Sequence, residues 1–296
     1  MKSFITGGKG FVGKHLQELL ESEGQTVMTF DLIDGQDILS HDLHYALEDF
    51  RPDYIYHLAA MTSVPQSVEE PRECVAVNIE GSVALLEAVR KLDLPCNVLL
   101  ASSTEVYQPA IDDTPLGVQS AIQPRTPYGV SKLAMEQLGA IYAAIYNIHL
   151  VITRTTNHTG PGQDGPFAVT SFAKQIVAIE RGEQDVLKHG DLTSFKSYLD
   201  VRDVVKAYRI AIDMQPHVYN IASDETYEMQ TLLDRLVDAA KVPIQTSKET
   251  SLVRPYAPDK TRYETSSKLK EAGWKVEYNI ERTLHDVVEY WRSKSA

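Results

Sequence analysis

Strands and helices alternate along the first half of this 296-residue chain, and that alternation constrains the fold more than any other feature. Lys2–Thr6 reads as a strand. Phe11–Ser22 reads as a helix, with Val12, Leu16, Leu19 and Leu20 on one face. Thr26–Asp31 and Tyr54–Leu58 are expected as the second and third strands. Glu73–Leu92 is expected as one helix, with Val77, Ala84, Leu85 and Ala88 at helical spacing. Asn97–Ala101, Pro127–Tyr146 and Ile148–Arg154 complete the pattern as strand, long helix and fifth strand. Strands separated by helices cannot close as hairpins, so right-handed crossovers and a doubly wound parallel sheet covered on both faces follow. Ligands on such sheets bind outside the carboxyl ends of the strands.

The pattern loosens near Asn157. Thr159–Pro166 is rich in Gly and Pro and reads as a loop. Helices are expected at Phe167–Arg181, Val201–Asp213, Met229–Ala240 and Ile280–Arg292. Residues 1–156 are thus expected to form the sheet domain. Residues 157–296 are expected to form a smaller α/β lobe, interleaved with returns to the sheet.

The first turn reads Thr6-Gly7-Gly8-Lys9-Gly10-Phe11-Val12-Gly13, with Gly7, Gly10 and Gly13 in a GxxGxxG register. Glycine serves the tight turn, the close approach of backbone to a pyrophosphate, and the packing of helix on strand. The free N–H groups of the following helix, from Phe11 and Val12, suit an anion. A strand, this turn and a helix together predict a dinucleotide site on a Rossmann-type sheet. Asp31 ends the second strand, where a carboxylate can accept the adenosine ribose hydroxyls and would repel a 2'-phosphate. With no arginine in Leu32-Ile33-Asp34, NAD(H) is favoured and NADP(H) stays open.

Tyr128-Gly129-Val130-Ser131-Lys132 places a phenol and an ammonium four residues apart on one helix face. The ammonium is expected to lower the phenol's pKa from about 10, so that it exchanges a proton with a hydroxyl or carbonyl near neutrality. Ser103, at the end of the fourth strand, is the hydroxyl expected on the reacting oxygen. Glu105, two residues on, is a candidate acid or base.

A net charge of -12 argues against a nucleic-acid partner, and any anionic substrate needs a local basic cluster. Cys74 and Cys96 are the only cysteines, so neither a disulfide framework nor a cysteine-rich metal site is indicated; both are expected reduced. No stretch resembles a signal peptide or approaches the ~20 apolar residues that span a bilayer, so no membrane partner is expected and the cytoplasm is the default compartment.

These residues together resemble the extended short-chain dehydrogenase/reductase family, the NAD-dependent epimerases and dehydratases of nucleotide sugars. The likeness covers nearly the whole chain. It rests on the glycine turn, Asp37-Ile38 at the adenine contact, His57-Leu58-Ala59-Ala60 after the third strand, Asn78 in an N-x-x-G, Ser103, Tyr128 and Lys132. It implies cofactor contacts from Asp37, Ile38, Leu58, Ala59, Ala60 and Asn78. Three segments are similar to the family's reductases of GDP-linked 4-keto-6-deoxymannose: Arg154–Gln163, Ser171–Ile176 and Asp200-Val201-Arg202-Asp203. That resemblance puts Asn157, Thr104, Lys174 and Arg254 on the substrate side. Lys196 stands where the family usually has arginine, and a point charge lacks the fork that grips phosphate twice. Gln108 stands where glycine is common.

The expected fold is therefore α/β: a Rossmann-type doubly wound parallel sheet with a smaller α/β substrate-binding lobe. The expected activity is reduction of the C4 ketone of a nucleotide-linked 4-keto-6-deoxyhexose, GDP-linked by resemblance, with NAD(P)H. A 4-epimerase or a 4,6-dehydratase is the alternative, since all three share the Tyr128 chemistry. A non-catalytic dinucleotide sensor is the remote one. As in relatives, a homodimer is expected through the helices Glu73–Leu92 and Pro127–Tyr146.

Overall fold

The computed structural model describes residues 1–110, 112–252 and 261–294. The first half runs β1 (Lys2–Thr6), α1 (Phe11–Ser22), β2 (Thr26–Phe30), α2 (Asp42–Phe50), β3 (Tyr54–His57), α3 (Val64–Glu69), α4 (Pro71–Val75), α5 (Gly81–Lys91), β4 (Asn97–Ser103), α6 (Pro127–Tyr146) and β5 (His149–Thr155). The second runs β6 (Asn157–Thr159), α7 (Ala168–Glu180), β7 (Val186–His189), β8 (Phe195–Lys196), β9 (Tyr198–Asp200), α8 (Val201–Ala211), β10 (Val218–Ile221), β11 (Tyr227–Glu228), α9 (Met229–Asp238), β12 (Gln245–Lys248), α10 (Ser267–Glu271) and α11 (Ile280–Ser293).

Six strands form one parallel sheet in the order β10-β5-β4-β3-β1-β2. Side chains alternate across each strand, so adjacent residues enter opposite cores. Ile5, Tyr56, Leu99 and Val151 pack against α1 and α8 through Leu16, Leu20, Val204 and Tyr208. Phe4, Ile55, Val98 and Leu150 pack against α2, α5 and α6 through Leu43, Leu47, Leu85 and Met135. A third cluster, from Val169 to Val288, joins α7, α9 and α11. Each fully buried large side chain contributes about 1.5–3 kcal/mol.

From β1 the chain steps outward to β2 and then returns to β3 on the other side. The order reverses there, and the crevice at the carboxyl ends of β1 and β3 is the place such a sheet offers a ligand.

The structure departs from the sequence-based expectation in several places. The helix expected over Glu73–Leu92 begins at Pro71 and is interrupted by a π-helical turn at Ala76–Glu80. β10 is a return to the sheet of the kind expected for the second half, at residues not placed in advance; α2 and α3 have no counterpart in that expectation. β10 is only four residues long, too short to show a period. Leu43, Leu47 and Phe50 do mark the inner face of α2, but only over nine residues.

Candidate active site

Close packing at the end of β1 dictates the glycines of the first turn. Gly7 has φ +71°, and a Cβ there would lie 2.7 Å from the Ala59 nitrogen. A Cβ on Gly13 would sit 2.3 Å from the Gly7 carbonyl, where only hydrogen fits. At Gly10 the nearest atom is the Gly7 carbonyl at 3.2 Å, so this position is far less confined by protein. Helix α1 starts here with no side-chain cap and no acidic residue in its first turn. First-turn N–H groups have no intrahelical partner, and the dipole favours an anion beside them. The cradle therefore fits the pyrophosphate of a dinucleotide, with Gly10, Phe11 and Val12 as its backbone.

Asp31 is buried at the end of β2. Its carboxylate accepts the Lys9 N–H at 2.8 Å and the Ile33 N–H at 2.9 Å, tying β2 to the glycine turn. Asp37 is exposed and accepts the Leu39 N–H at 2.9 Å. Ile38 is buried, and a Cβ on Gly81 would meet its Cγ2 at 2.9 Å. This contact explains the glycine of N-x-x-G.

A chain of hydrogen bonds crosses the crevice. The Ala59 N–H donates to Thr6 Oγ1 at 3.2 Å, and Thr6 Oγ1 lies 2.8 Å from His57 Nδ1. His57 Nε2 lies 2.8 Å from Ser82 Oγ, which donates to the Asn78 carbonyl at 2.7 Å. Ser82 has one hydrogen and spends it on Asn78, so the ring must donate from Nε2 and accept from Thr6 at Nδ1. Burial, then the Lys132 charge, pushes His57 down to about 3, so the ring is neutral. The resemblance singles out His57, but a lone histidine closing β3 carries no local signal of these hydrogen bonds. The Asn78 amide is spent on protein: its oxygen accepts the Met61 N–H at 2.8 Å, and its nitrogen donates to the Met61 carbonyl at 3.1 Å and Ser131 Oγ at 2.9 Å. Asn78 sits in the π-helical turn. It thereby holds the segment that follows Leu58, Ala59 and Ala60.

Helix α6 carries the YxxxK pair. Thr126 caps it by accepting the Gly129 N–H at 3.1 Å, and Pro127 opens the first turn. A Cβ at Gly129 would lie 2.5 Å from the Glu105 carbonyl, so this glycine lets the end of β4 press against the helix. Tyr128 and Lys132 are both buried. The Ser103 hydroxyl lies beside the Tyr128 phenol. Lys132 Nζ donates to the Ala101 carbonyl at 2.7 Å and lies 5.9 Å from the Tyr128 ring centre.

The pKa order corrects the sequence-based expectation. Burial raises Tyr128 well above its ordinary value, Ser103 opposes the rise, and the Glu105 charge adds to it. Burial also pushes Lys132 down to about 8, against the charges of Cys74 and Glu136. Desolvation outweighs the expected ammonium effect, so the phenol stays protonated.

Glu105 is half-buried on a short 3-10 turn, and its N–H donates to Ser103 Oγ at 3.2 Å. Thr104 is buried beside it, next to the Tyr263 phenol. Tyr263, whose ring centre is 6.2 Å from that of Tyr107, reaches this cluster from the far end of the chain. Nothing local in the sequence points to it.

On the opposite side of the crevice, Asn157 is exposed on β6 beside Tyr198. His158 stacks on Phe11 with ring centres 6.2 Å apart, and His15 Nε2 lies 2.8 Å from the Pro161 carbonyl. These contacts seat the loop after β6 on the glycine cradle. Gln163 fastens that loop: its oxygen accepts Thr159 at 2.8 Å and Thr170 at 3.0 Å. Lys174 is ion-paired to Asp164 at 2.5 Å and lies 4.2 Å over the Trp291 ring, so its charge already has partners. Lys196 sits on β8 opposite Tyr227. Arg254 lies outside the described residues. Asp200 and Asp203 are spent on structure: Asp200 caps α8 and pairs with Arg202 at 2.7 Å, and Asp203 accepts the Glu277 and Tyr278 N–H groups at 3.0 Å each. Among the described residues no cluster of His, Cys, Asp and Glu could hold a metal ion, and no helix is long and apolar enough to cross a membrane.

Residues 28–287 match the family model for GDP-mannose 4,6 dehydratase. The chain is 31% identical to GDP-6-deoxy-D-mannose reductase of Pseudomonas aeruginosa, over 98% of this chain and 97% of that one. The structure of RMD from Pseudomonas aeruginosa complexed with NADPH superposes with a TM-score of 0.88 at 31% identity, covering 99% of each chain. UDP-glucose 4-epimerase from Thermus thermophilus, complexed with NAD, gives 0.89 at 25% identity over the full length of both chains. The chain belongs to the extended short-chain dehydrogenase/reductase family and is an NAD(P)-dependent enzyme that modifies nucleotide sugars.

Proposed function

We propose that this enzyme reduces the C4 ketone of a nucleotide-linked 4-keto-6-deoxyhexose, with a GDP-linked sugar as the favoured substrate. One observation carries the reading: Tyr128 is a buried phenol kept protonated, with Ser103 and Lys132 beside it. A reductase needs a proton donor at the ketone oxygen, whereas oxidation of a hydroxyl needs a base there. The 31% identity to a GDP-6-deoxy-D-mannose reductase supports the same direction.

When bound, the reduced nicotinamide supplies the hydride. Gly7, Gly10, Phe11, Val12 and Gly13 would hold its pyrophosphate, and Asp31 its adenosine ribose. Asp37 and Ile38 would contact its adenine, and Leu58, Ala59 and Ala60 would lie along the dinucleotide between. Ser103 holds the ketone oxygen. Tyr128 delivers its proton to that oxygen, and Lys132 stabilises the phenolate left behind. Asn157, Thr104 and Lys196 face the sugar diphosphate. NAD(H) is favoured by Asp31, whose negative charge opposes a 2'-phosphate; the NADPH complex of the Pseudomonas relative keeps NADP(H) open. Residues 1–156 bind the dinucleotide, and 157–296 mainly the sugar nucleotide. The enzyme is a cytoplasmic homodimer in this reading. Val130, Ile141, Ile145 and Tyr146 leave an exposed apolar stripe on α6 for the mate, and Val75 on α4 is exposed as well.

Glu105 favours a second reading. A half-buried carboxylate beside Ser103 and Thr104 could serve a 4,6-dehydratase as base, and a 4-epimerase would reuse Tyr128. The test is absorbance of NADH and of NADPH with purified enzyme and 4-keto-6-deoxy sugars linked to GDP, dTDP, UDP and CDP. Stoichiometric oxidation with one of them is expected. No oxidation with any, together with NAD carried through purification, contradicts the reductase.

A further inference from the structure

Three successive residues at the end of β4 meet three turns of α6. The Ala101 carbonyl accepts Lys132 Nζ at 2.7 Å, Ser102 Oγ donates to Glu136 Oε1, and the Ser103 hydroxyl faces the Tyr128 phenol. Residues four apart on a helix share a face, so Tyr128, Lys132 and Glu136 form one buried column along the strand end. The first two belong to the catalytic group proposed above. Glu136 is only 4% exposed and lies two helical turns from the phenol.

An unpaired carboxylate would not persist at such a site. Arg154 of β5 pairs with it through two donors, Nη2 to Oε2 at 2.7 Å and Nε to Oε1 at 3.0 Å. A fork of this kind fixes direction as well as distance. Arg154 Nη1 donates to the Tyr107 hydroxyl at 3.0 Å, and Tyr107 donates to Asn220 Oδ1 of β10 at 2.6 Å. Tyr107 also closes the turn that carries Thr104 and Glu105. The path thus joins α6, β4, β5 and β10 behind the Ser103–Tyr128 contact.

We propose that Glu136 is a positioning residue for the reaction assigned above: with Arg154 it fixes the register between the end of β4 and α6, and so the contact between Ser103 and Tyr128. A shift of the strand end along the helix would carry the Ser103 hydroxyl away from the Tyr128 phenol. An apolar contact would tolerate sliding; a carboxylate bonded to Ser102 and forked to Arg154 does not. Its charge has a second effect. Lys132 faces Cys74 from α4, His57 from β3, and Tyr128 and Glu136 on its own helix, and Glu136 favours its ammonium form.

The proposal rests on the reductase reading, so the test has one arm that needs no sugar. Glu136→Gln, Ser102→Ala and Arg154→Lys are compared with wild type for kcat, KM, cofactor affinity, pH profile and crystal structure. Glu136→Gln is expected to bind cofactor normally and lose about 10- to 100-fold in kcat, as a misplaced donor does, with KM little changed. Its alkaline limb moves to lower pH, because Lys132 has lost a negative neighbour. Ser102→Ala and Arg154→Lys keep the carboxylate; both lose kcat with the limb in place, and both remain informative if Glu136→Gln fails to fold. The crystal structures are expected to show the Ser103–Tyr128 contact displaced in the variants. Full kcat in Glu136→Gln with an unmoved limb overturns the proposal, as does an undisturbed contact in all three crystal structures. A wild-type enzyme that reduces no sugar would sink the reductase reading but leave the structural arm standing.

Discussion

The dinucleotide cradle and the substrate-facing side of the crevice are built by different means. In the cradle the backbone does most of the work. Gly7 and Gly13 leave no room for a Cβ, and Thr6, His57, Ser82 and Asn78 form a fully partnered chain beneath it. Across the crevice, β6, β8, β9 and β11 are two or three residues long, and Asn157 stands exposed on the first of them. A cofactor common to a whole family can be met by a preformed backbone surface. A particular sugar must be met by side chains, which change without disturbing the sheet.

Substitutions can break this contrast, and the largest effect is expected at the meeting point of the two sides. Tyr128→Phe removes the proton donor and should lower kcat by about 10³-fold, with thermal stability and cofactor affinity held. Retained turnover would remove Tyr128 from the chemistry. Next come the glycines. Gly13→Ala puts a methyl 2.3 Å from the Gly7 carbonyl and should abolish dinucleotide binding or folding, read by cofactor titration and calorimetry. Gly10→Ala meets protein only at 3.2 Å, so it should weaken cofactor binding while the melting temperature holds. Equal losses of stability in the two variants would deny the cradle its asymmetry.

The pH dependence should follow Lys132, at about 8 in the folded protein. Its ammonium is present below that pH and lost above it, so kcat/KM for reduction should fall about tenfold per unit on the alkaline side. A profile flat to pH 10 would contradict this. On the substrate side the effects should be smaller and confined to KM. Asn157→Ala should raise KM by about tenfold at unchanged stability, the cost of one lost polar contact. Lys174→Ala should change KM little, because Asp164 and Trp291 already occupy that ammonium. The reverse ranking would return Lys174 to the diphosphate.

A further effect concerns stability. His57 titrates near 3 when folded, against an ordinary 6.5. Between these values the unfolded chain binds the proton and the folded one does not, so stability rises with pH. The contribution is complete above pH 6.5 and is lost as pH falls toward 3. Denaturation at pH 4 to 6 should show about 1.4 kcal/mol per pH unit more slope in wild type than in His57→Asn. Equal slopes would mean that His57 is not buried neutral.

Legibility in the sequence follows the same division. The bounds of β1, α1 and α6 follow from caps, glycines and apolar spacing, all of them local signals. The crossovers predict the parallel sheet. Ser103, Tyr128 and Lys132 are legible as neighbours, because the end of β4 and the start of α6 bring them together. What stays hidden depends on tertiary contact. The π-helical turn arises where the Asn78 amide reaches back to Met61, which no periodicity anticipates. Tyr263 meets Thr104 across more than half the chain. The raised Tyr128 pKa reflects burial, whereas the spacing of Tyr and Lys alone suggests a lowered one.

The central claim is that hydride reaches C4 of the sugar once and irreversibly, while Tyr128 protonates the oxygen. Cofactor deuterated at the transferring position, incubated with the accepted 4-keto-6-deoxy sugar nucleotide, tests it directly by NMR of the product. The account predicts one deuterium at C4 for each cofactor oxidised. Product without deuterium at C4, formed with no net cofactor oxidation, would contradict it and identify an enzyme that recycles its own hydride.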